Sequence, residues 1–165
     1  MNKKLIVING TMGVGKSSIS SKLSKELENS VLLDGDWCWM MNPWKVTEEN
    51  KKMVEENIIF LLNQFLKNSL FNHVIFTWVM HDENIWHRLH KNLKTKNISI
   101  VRFSLICESE QLKKQMKKDK RTEENIAEAI KRIPMYEHQD TIKINTTNKS
   151  VGGIVNEIKL IIIQK

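Results

Sequence analysis

The stretch Ile8-Asn9-Gly10-Thr11-Met12-Gly13-Val14-Gly15-Lys16-Ser17-Ser18-Ile19-Ser20 decides how the rest of the chain is read. It leaves the apolar run Leu5–Ile8, sets down three glycines within six residues, places a lysine after the last, and turns helix-like. Glycine loses more freedom on ordering than any other residue, so a cluster of them inside a packed unit has to serve something. Here it lets the main chain curl until several N–H groups point into one hollow. That hollow opens on a helix N-terminus, whose partial positive charge favours an anion.

Working outward, strand and helix patterns alternate. Leu5–Ile8 is continuously apolar, as a strand buried on both faces must be. Val31–Leu33, the run from His73 ("HVIFTWV"), the run from Ile98 ("ISIVRFSLI") and "TIKIN" from Thr141 supply four more strands. Helices are expected at Ser17–Glu28, after the cap Thr47, at Asp82–Lys94, at Ser109–Lys118, after the cap Thr122, and along Ile154–Ile162. Strands alternating with helices imply βαβ units and a mainly parallel, three-layer α/β sheet. Neither a repeat nor a linker divides the 165 residues, so one domain spanning 1–165 is expected.

Gly10-x-x-x-x-Gly15-Lys16-Ser17 fits the P-loop pattern, between a buried strand and an amphipathic helix as the mechanism requires. Gly10, Thr11, Met12, Gly13, Val14, Gly15, Lys16, Ser17 and Ser18 are therefore the expected phosphate-binding residues. Lys16 reaches the β- and γ-phosphates and Ser17 ligates Mg²⁺. The base-reading N-K-x-D element of GTPases is broken, because Val151 follows Asn148-Lys149-Ser150 where aspartate belongs. Short P-loop chains are usually kinases of small molecules.

"VLLDGDWCW" places Asp34 and Asp36 at the C-terminal end of the second strand, the edge where open α/β sheets bind ligands. In extended backbone residues i and i+2 share a side. Asp34 is assigned to the Mg²⁺ shell, and Asp36 to the acceptor hydroxyl as general base. Downstream, Arg121 and Arg132 lie eleven residues apart, about three helical turns, facing one side with Asn125 and Glu128. Planar guanidinium groups so placed suit a transferring phosphoryl group, which makes both catalytic candidates.

The segments "GTMGVGKS", "LLDGDWCW", "CESEQLKKQMKKDKR" and "TIKINTTNKS" resemble the small P-loop kinases grouped with shikimate kinase, gluconate kinase, chloramphenicol phosphotransferase and the adenylate-kinase-like nucleotide kinases. The resemblance implies a five-stranded parallel sheet in the order 2-3-1-4-5, a mobile helical lid near residues 117–124, and ATP as donor. It also implies that Asn145–Ser150, with Asn148 and Lys149, line the adenine. The chain departs from many relatives in one respect. Thr77 and Trp78 stand near the end of the third strand, where an aspartate often serves the metal.

No arginine occurs from Asp34 to Asn72, the segment expected to hold an acceptor. That argues against a monophosphate or another anionic acceptor. Tryptophans are abundant instead, and Trp37, Trp39 and Trp78, with His81 and Arg88, are the expected acceptor-binding residues beside Asp36. The reading that results is an ATP- and Mg²⁺-dependent kinase acting on a hydroxyl of a largely uncharged, ring-bearing molecule. A nucleoside or nucleotide kinase, a nucleic-acid-binding protein and a non-catalytic ATP-binding regulator remain alternatives. The net charge of +7 favours phosphate-bearing partners of either kind, nucleotide or nucleic acid. Monomer and homodimer are both open. With no apolar run near 18 residues and a glycine-broken N-terminal run, a cytoplasmic protein without a membrane span is expected. Cys38 and Cys107 are expected to be free thiols.

Overall fold

The computed structural model describes residues 3–165. Five parallel strands, β1 (Lys4–Gly10), β2 (Ser30–Asp34), β3 (His73–Trp78), β4 (Ser99–Ile106) and β5 (Ile142–Asn145), form one sheet in the order β2-β3-β1-β4-β5. This is the order implied by the resemblance. β1 is central because its side chains find apolar cover on both faces. Ile6 and Ile8 point into one core with Ile19 and Leu23 of α1 (Lys16–Glu26) and Ile154 and Ile158 of α7 (Val151–Gln164). Leu5 and Val7 point into the other, against Val54, Ile58 and Leu62 of α2 (Glu48–Lys67) and Trp86 and Leu89 of α3 (Glu83–Lys91).

Helix starts follow their caps. Thr47, Asp82, Thr122 and Ser150 each accept a main-chain N–H of the first turn, which satisfies donors that have no intrahelical partner. Asp82 is thus a cap, and α3 is shorter at both ends than its apolar pattern suggested. α4 (Ser109–Lys118) and α5 (Glu123–Lys131) flank a short loop in which Lys120 takes a left-handed conformation at φ 56°. Two elements had no periodic signal: the 3₁₀ turn Gly35–Trp39 and the one-turn helix α6 (Ile133–Glu137), which begins at Ile133-Pro134. Both are too short for periodicity to register. Among the described residues no helix is long and apolar enough to cross a membrane, and both cysteines are free thiols.

The fold fixes the start of the glycine loop through Asn9, which is buried at the end of β1. Its Oδ1 accepts the N–H groups of Gly10 at 2.9 Å and Met80 at 2.8 Å. Its amide donates to the Met80 carbonyl and to Gln139 Oε1, both at 2.8 Å, while Gln139 donates to the same Met80 carbonyl at 2.7 Å. One side chain therefore ties β1, the exit of β3 and the α6–β5 connection together. Removing it strands several buried groups, each at a cost of roughly 1–3 kcal/mol. Asn9→Ala is expected to lower the unfolding free energy by about 3 kcal/mol or more, read as a shift of the urea midpoint. A loss below about 1 kcal/mol would show that water replaces the network without penalty.

Candidate active site

The glycine loop turns from β1 into α1 as its spacing requires. Gly13 and Gly15 adopt φ 80° and 99°, a left-handed region that side-chain-bearing residues avoid. A Cβ on Gly13 would also lie 2.4 Å from the Met116 side chain. Within the loop the residues divide by role. Val14 is buried in the core, and Thr11 turns its hydroxyl inward to donate to the Ala129 carbonyl of α5 at 2.8 Å. Gly10 is buried as the last residue of β1. Met12, Gly13, Gly15, Lys16, Ser17 and Ser18 face a cleft of about 680 Å³.

Lys16 folds back on its own loop, its Nζ donating to the Thr11 carbonyl at 2.9 Å. Burial pushes its pKa down to about 8, although Asp36 and Asp34 pull it the other way. Ser17 Oγ donates to Asp34 Oδ2 at 3.0 Å, and Asp34 Oδ1 accepts the Asp36 N–H at 3.0 Å. That hydroxyl and that carboxylate, side by side at the anion hollow, are hard oxygen donors. They suit a magnesium ion that keeps several waters and shares phosphate oxygens.

Asp36 sits on the 3₁₀ turn at the cleft rim. Burial of its carboxyl, and next the neighbouring Asp34 charge, raise its pKa above the ordinary carboxylate range. Lys16, hydrogen bonding from Trp78 and then Arg121 oppose that rise. The ring of Trp78 lies against Gly35, so close that a Cβ there would come within 2.5 Å of Trp78 Cγ. Trp78 thus braces the turn carrying Asp36 and is not one of the residues facing the cleft.

The remaining expected residues fall into two sets. Trp39, Arg121 and Arg132 line the cleft. Arg132 is held by Glu128, with Nε and Nη2 both 2.9 Å from Oε1, while Arg121 forms no ion pair among the described residues. Trp37, His81 and Arg88 do not line it. Trp37 points outward and is 56% exposed. Arg88 Nη2 lies 2.6 Å from Glu55 Oε1, which fixes it between α3 and α2. His81 lies beside Arg132. Burial and that guanidinium hold its imidazole below the usual range, against Asp82 and Glu128. Asn148 donates its main-chain N–H to Gln111 Oε1 at 2.8 Å, and Lys149 pairs with Glu157 at 2.7 Å. Lys149 borders a second recess on the other flank of the loop.

Val79 and Asp119, which sequence reasoning missed, also line the cleft, together with Met40 and Trp44 of the tryptophan-rich segment. The Trp39 and Trp44 ring centroids are 6.2 Å apart with planes tilted by 52°. Trp39, Met40 and Trp44 give the cleft that Asp36 also lines an aromatic and thioether wall. "WMMNPW" carried that signal in composition, but only the turn geometry selects which rings face inward.

With this geometry in place, comparison with known proteins gives a family and a fold. A family model described as AAA domain matches residues 6–135. No curated protein matches the chain at a significant level. Among solved structures, the tunicamycin resistance protein of Deinococcus radiodurans superimposes with a TM-score of 0.74 at 16% identity, over 97% of this chain and 95% of that one. A sugar kinase from Janibacter gives 0.71 at 13%, over 96% and 93%. Shikimate kinase from Aquifex aeolicus gives 0.64 at 20%, over 97% and 96%.

The depressed Lys16 makes a testable statement about the hollow. A polyphosphate anion stabilises the ammonium form, so binding at pH 8 is expected to take up roughly half a proton, falling toward zero near pH 6.5. Calorimetry with ATP in two buffers of different ionisation heat measures the uptake. A zero uptake at pH 8 would show that Lys16 carries its proton before the anion arrives.

Proposed function

The chain belongs to the AAA domain family and has the fold of the small P-loop kinases, and from that premise we propose that it is an ATP-dependent small-molecule kinase. It transfers the γ-phosphoryl group to a hydroxyl of a largely uncharged, ring-bearing acceptor. The observation that carries this reading is the sidedness of the cleft. One end is an anion hollow with a lysine, a hydroxyl and a carboxylate, and the other is an acid facing two tryptophans and a methionine. An acceptor with its own phosphate would want fixed cations at that second end, and among the described residues the guanidinium groups lining the cleft are Arg121, in the expected lid, and Arg132, already paired with Glu128.

In this reading the main-chain amides of residues 13–18 and the Lys16 ammonium hold the β- and γ-phosphates. Ser17 and Asp34 would hold Mg²⁺, which supplies charge neutralisation on the phosphate oxygens. Trp39 and Trp44 take the acceptor ring and present its hydroxyl to Asp36. As the acceptor oxygen bonds to the γ-phosphorus, its proton passes to the Asp36 carboxylate. The bond from phosphorus to the β–γ bridging oxygen breaks, and the diphosphate leaves. A carboxyl with a raised pKa is a stronger base, which suits that step. Arg121 closes over the phosphoryl oxygens, and Arg132 joins it by leaving Glu128. Sugar and shikimate kinases are among the structural neighbours, which supports this chemistry. The tunicamycin resistance neighbour suggests a ring-bearing natural product as one class of acceptor.

The test is transfer from γ-labelled ATP to a panel of neutral sugars, nucleosides and phenolic or glycosidic antibiotics, with nucleoside monophosphates and shikimate as anionic comparators. Product is expected only among the neutral ring compounds, with quenching of tryptophan emission on acceptor binding. Asp36→Asn is expected to cut kcat by about 10²–10⁴-fold while leaving ATP affinity within a few-fold. Preferential phosphorylation of monophosphates would overturn the acceptor class, and an Asp36→Asn variant of undiminished kcat would overturn the base.

A further inference from the structure

Two guanidinium groups line the cleft, and they are held differently. Arg121 forms no ion pair among the described residues, whereas Arg132 turns Nε and Nη2 onto Glu128 Oε1, both at 2.9 Å. Glu128 lies one turn earlier, at the i,i+4 spacing that brings side chains of a helix together. The main chain under this pair is anchored on both sides. Ile126, Ala129, Ile133 and Tyr136 are buried, and the Ala129 carbonyl accepts the Thr11 hydroxyl of the glycine loop. Arg132 therefore moves only about its own side-chain bonds, and Glu128 stays within its reach wherever the loop between α4 and α5 stands.

As a contribution to stability, an exposed pair of this kind is worth little. Its effect on the cleft is one of charge. An unpaired Arg132 would be a fixed cation suited to a carboxylate or phosphate on an acceptor. Paired with Glu128, it offers its remaining N–H donors at no net charge. An acceptor carboxylate could gain Arg132 only by replacing one carboxylate partner with another, and the displaced Glu128 would then stand beside it as a like charge. The γ-phosphoryl group competes on better terms, because it carries more charge and the glycine loop fixes its position. Nor does His81 draw Glu128 away. Burial, and next Arg132, hold its imidazole below the usual range, against Asp82 and Glu128.

We propose that Glu128 is a specificity-determining residue, which by neutralising Arg132 turns away acceptors that carry a carboxylate or a phosphate. Sites gain specificity by repelling the wrong ligand as well as by attracting the right one. The assignment rests on the kinase reading above and gives its preference for an uncharged acceptor a residue.

The experiment is calorimetric titration, with Mg²⁺ and a non-hydrolysable ATP analogue bound, of ring compounds matched except in charge: methyl shikimate against shikimate, and thymidine against thymidine monophosphate. The unaltered chain is compared with Glu128→Gln, Glu128→Asp and the double variant Glu128→Gln with Arg132→Met, each shown by its melting curve to be folded. Glu128→Gln is expected to bind shikimate and thymidine monophosphate about tenfold or more tightly than the unaltered chain does, and their neutral counterparts within about threefold. Glu128→Asp, which keeps the charge, is expected to stay within about threefold of the unaltered chain for every compound, and the double variant to lose the gain. No gain for either anion in Glu128→Gln, an equal gain for neutral and charged compounds, or a gain that survives in the double variant would overturn the assignment of Glu128 and leave the kinase reading standing. Failure of the ATP analogue to bind would instead remove the kinase reading, and this inference with it.

Discussion

A curl of main-chain amides at the head of α1, with a lysine drawn out of water above it, is the constraint on which the rest of the molecule depends. Such a curl is not self-supporting, because glycines that permit it also permit its alternatives. Two side chains hold it in place. Asn9 fastens its start to the exits of β1 and β3 and to Gln139, and Thr11 fastens its first turn to the Ala129 carbonyl on α5. The hollow is therefore built by the same bonds that fix the walls of the cleft around it. Packing alone would leave the hollow's shape underdetermined, since apolar contacts have no direction.

The two ends of the cleft differ in how they balance charge. At the glycine loop, the Lys16 ammonium feels the charges of Asp34 and Asp36, and burial of the amine works against their pull. On the 3₁₀ turn, Asp36 feels the opposite mix, crowded by Asp34 and relieved by Lys16, Trp78 and Arg121. Burial thus disfavours both ionic forms, and an anion on the glycine loop would favour the Lys16 ammonium while disfavouring the Asp36 carboxylate further. The net charge of +7 plays no visible part in this. It is spread over exposed lysines, several of them in helix-surface pairs such as Lys51 with Glu48 and Lys22 with Glu26. Surface pairs of that kind contribute about 0–1 kcal/mol each.

Much of the architecture was legible because its signals are local. The two-faced burial of Leu5–Ile8, the caps at Thr47 and Thr122, and the glycine spacing each follow from a few neighbouring residues. Those signals carry strand, helix and phosphate hollow directly. Asn9 was invisible because three of its four hydrogen bonds go to Met80 and Gln139, far away in sequence, and only the one to Gly10 is local. The aromatic wall of the cleft was legible as composition and not as geometry. The six residues of "WMMNPW" include two tryptophans that line the cleft, while Trp37, two residues before them, does not. A 3₁₀ turn too short to leave a period makes that choice. Arg88 misled for a related reason: helical spacing gives its face, but the pairing with Glu55 depends on how α3 crosses α2.

The contact between Gly35 and Trp78 has a consequence for how this chain can vary over time. With an indole pressed against the main chain between the two acids, no larger residue fits at position 35 while the indole remains. A smaller residue at position 78 would have to come first, and it would loosen the brace under Asp36 before any benefit appeared. Lineages descending from this sequence are thus confined to an ordered path through those two sites, and neither can wander neutrally without the other.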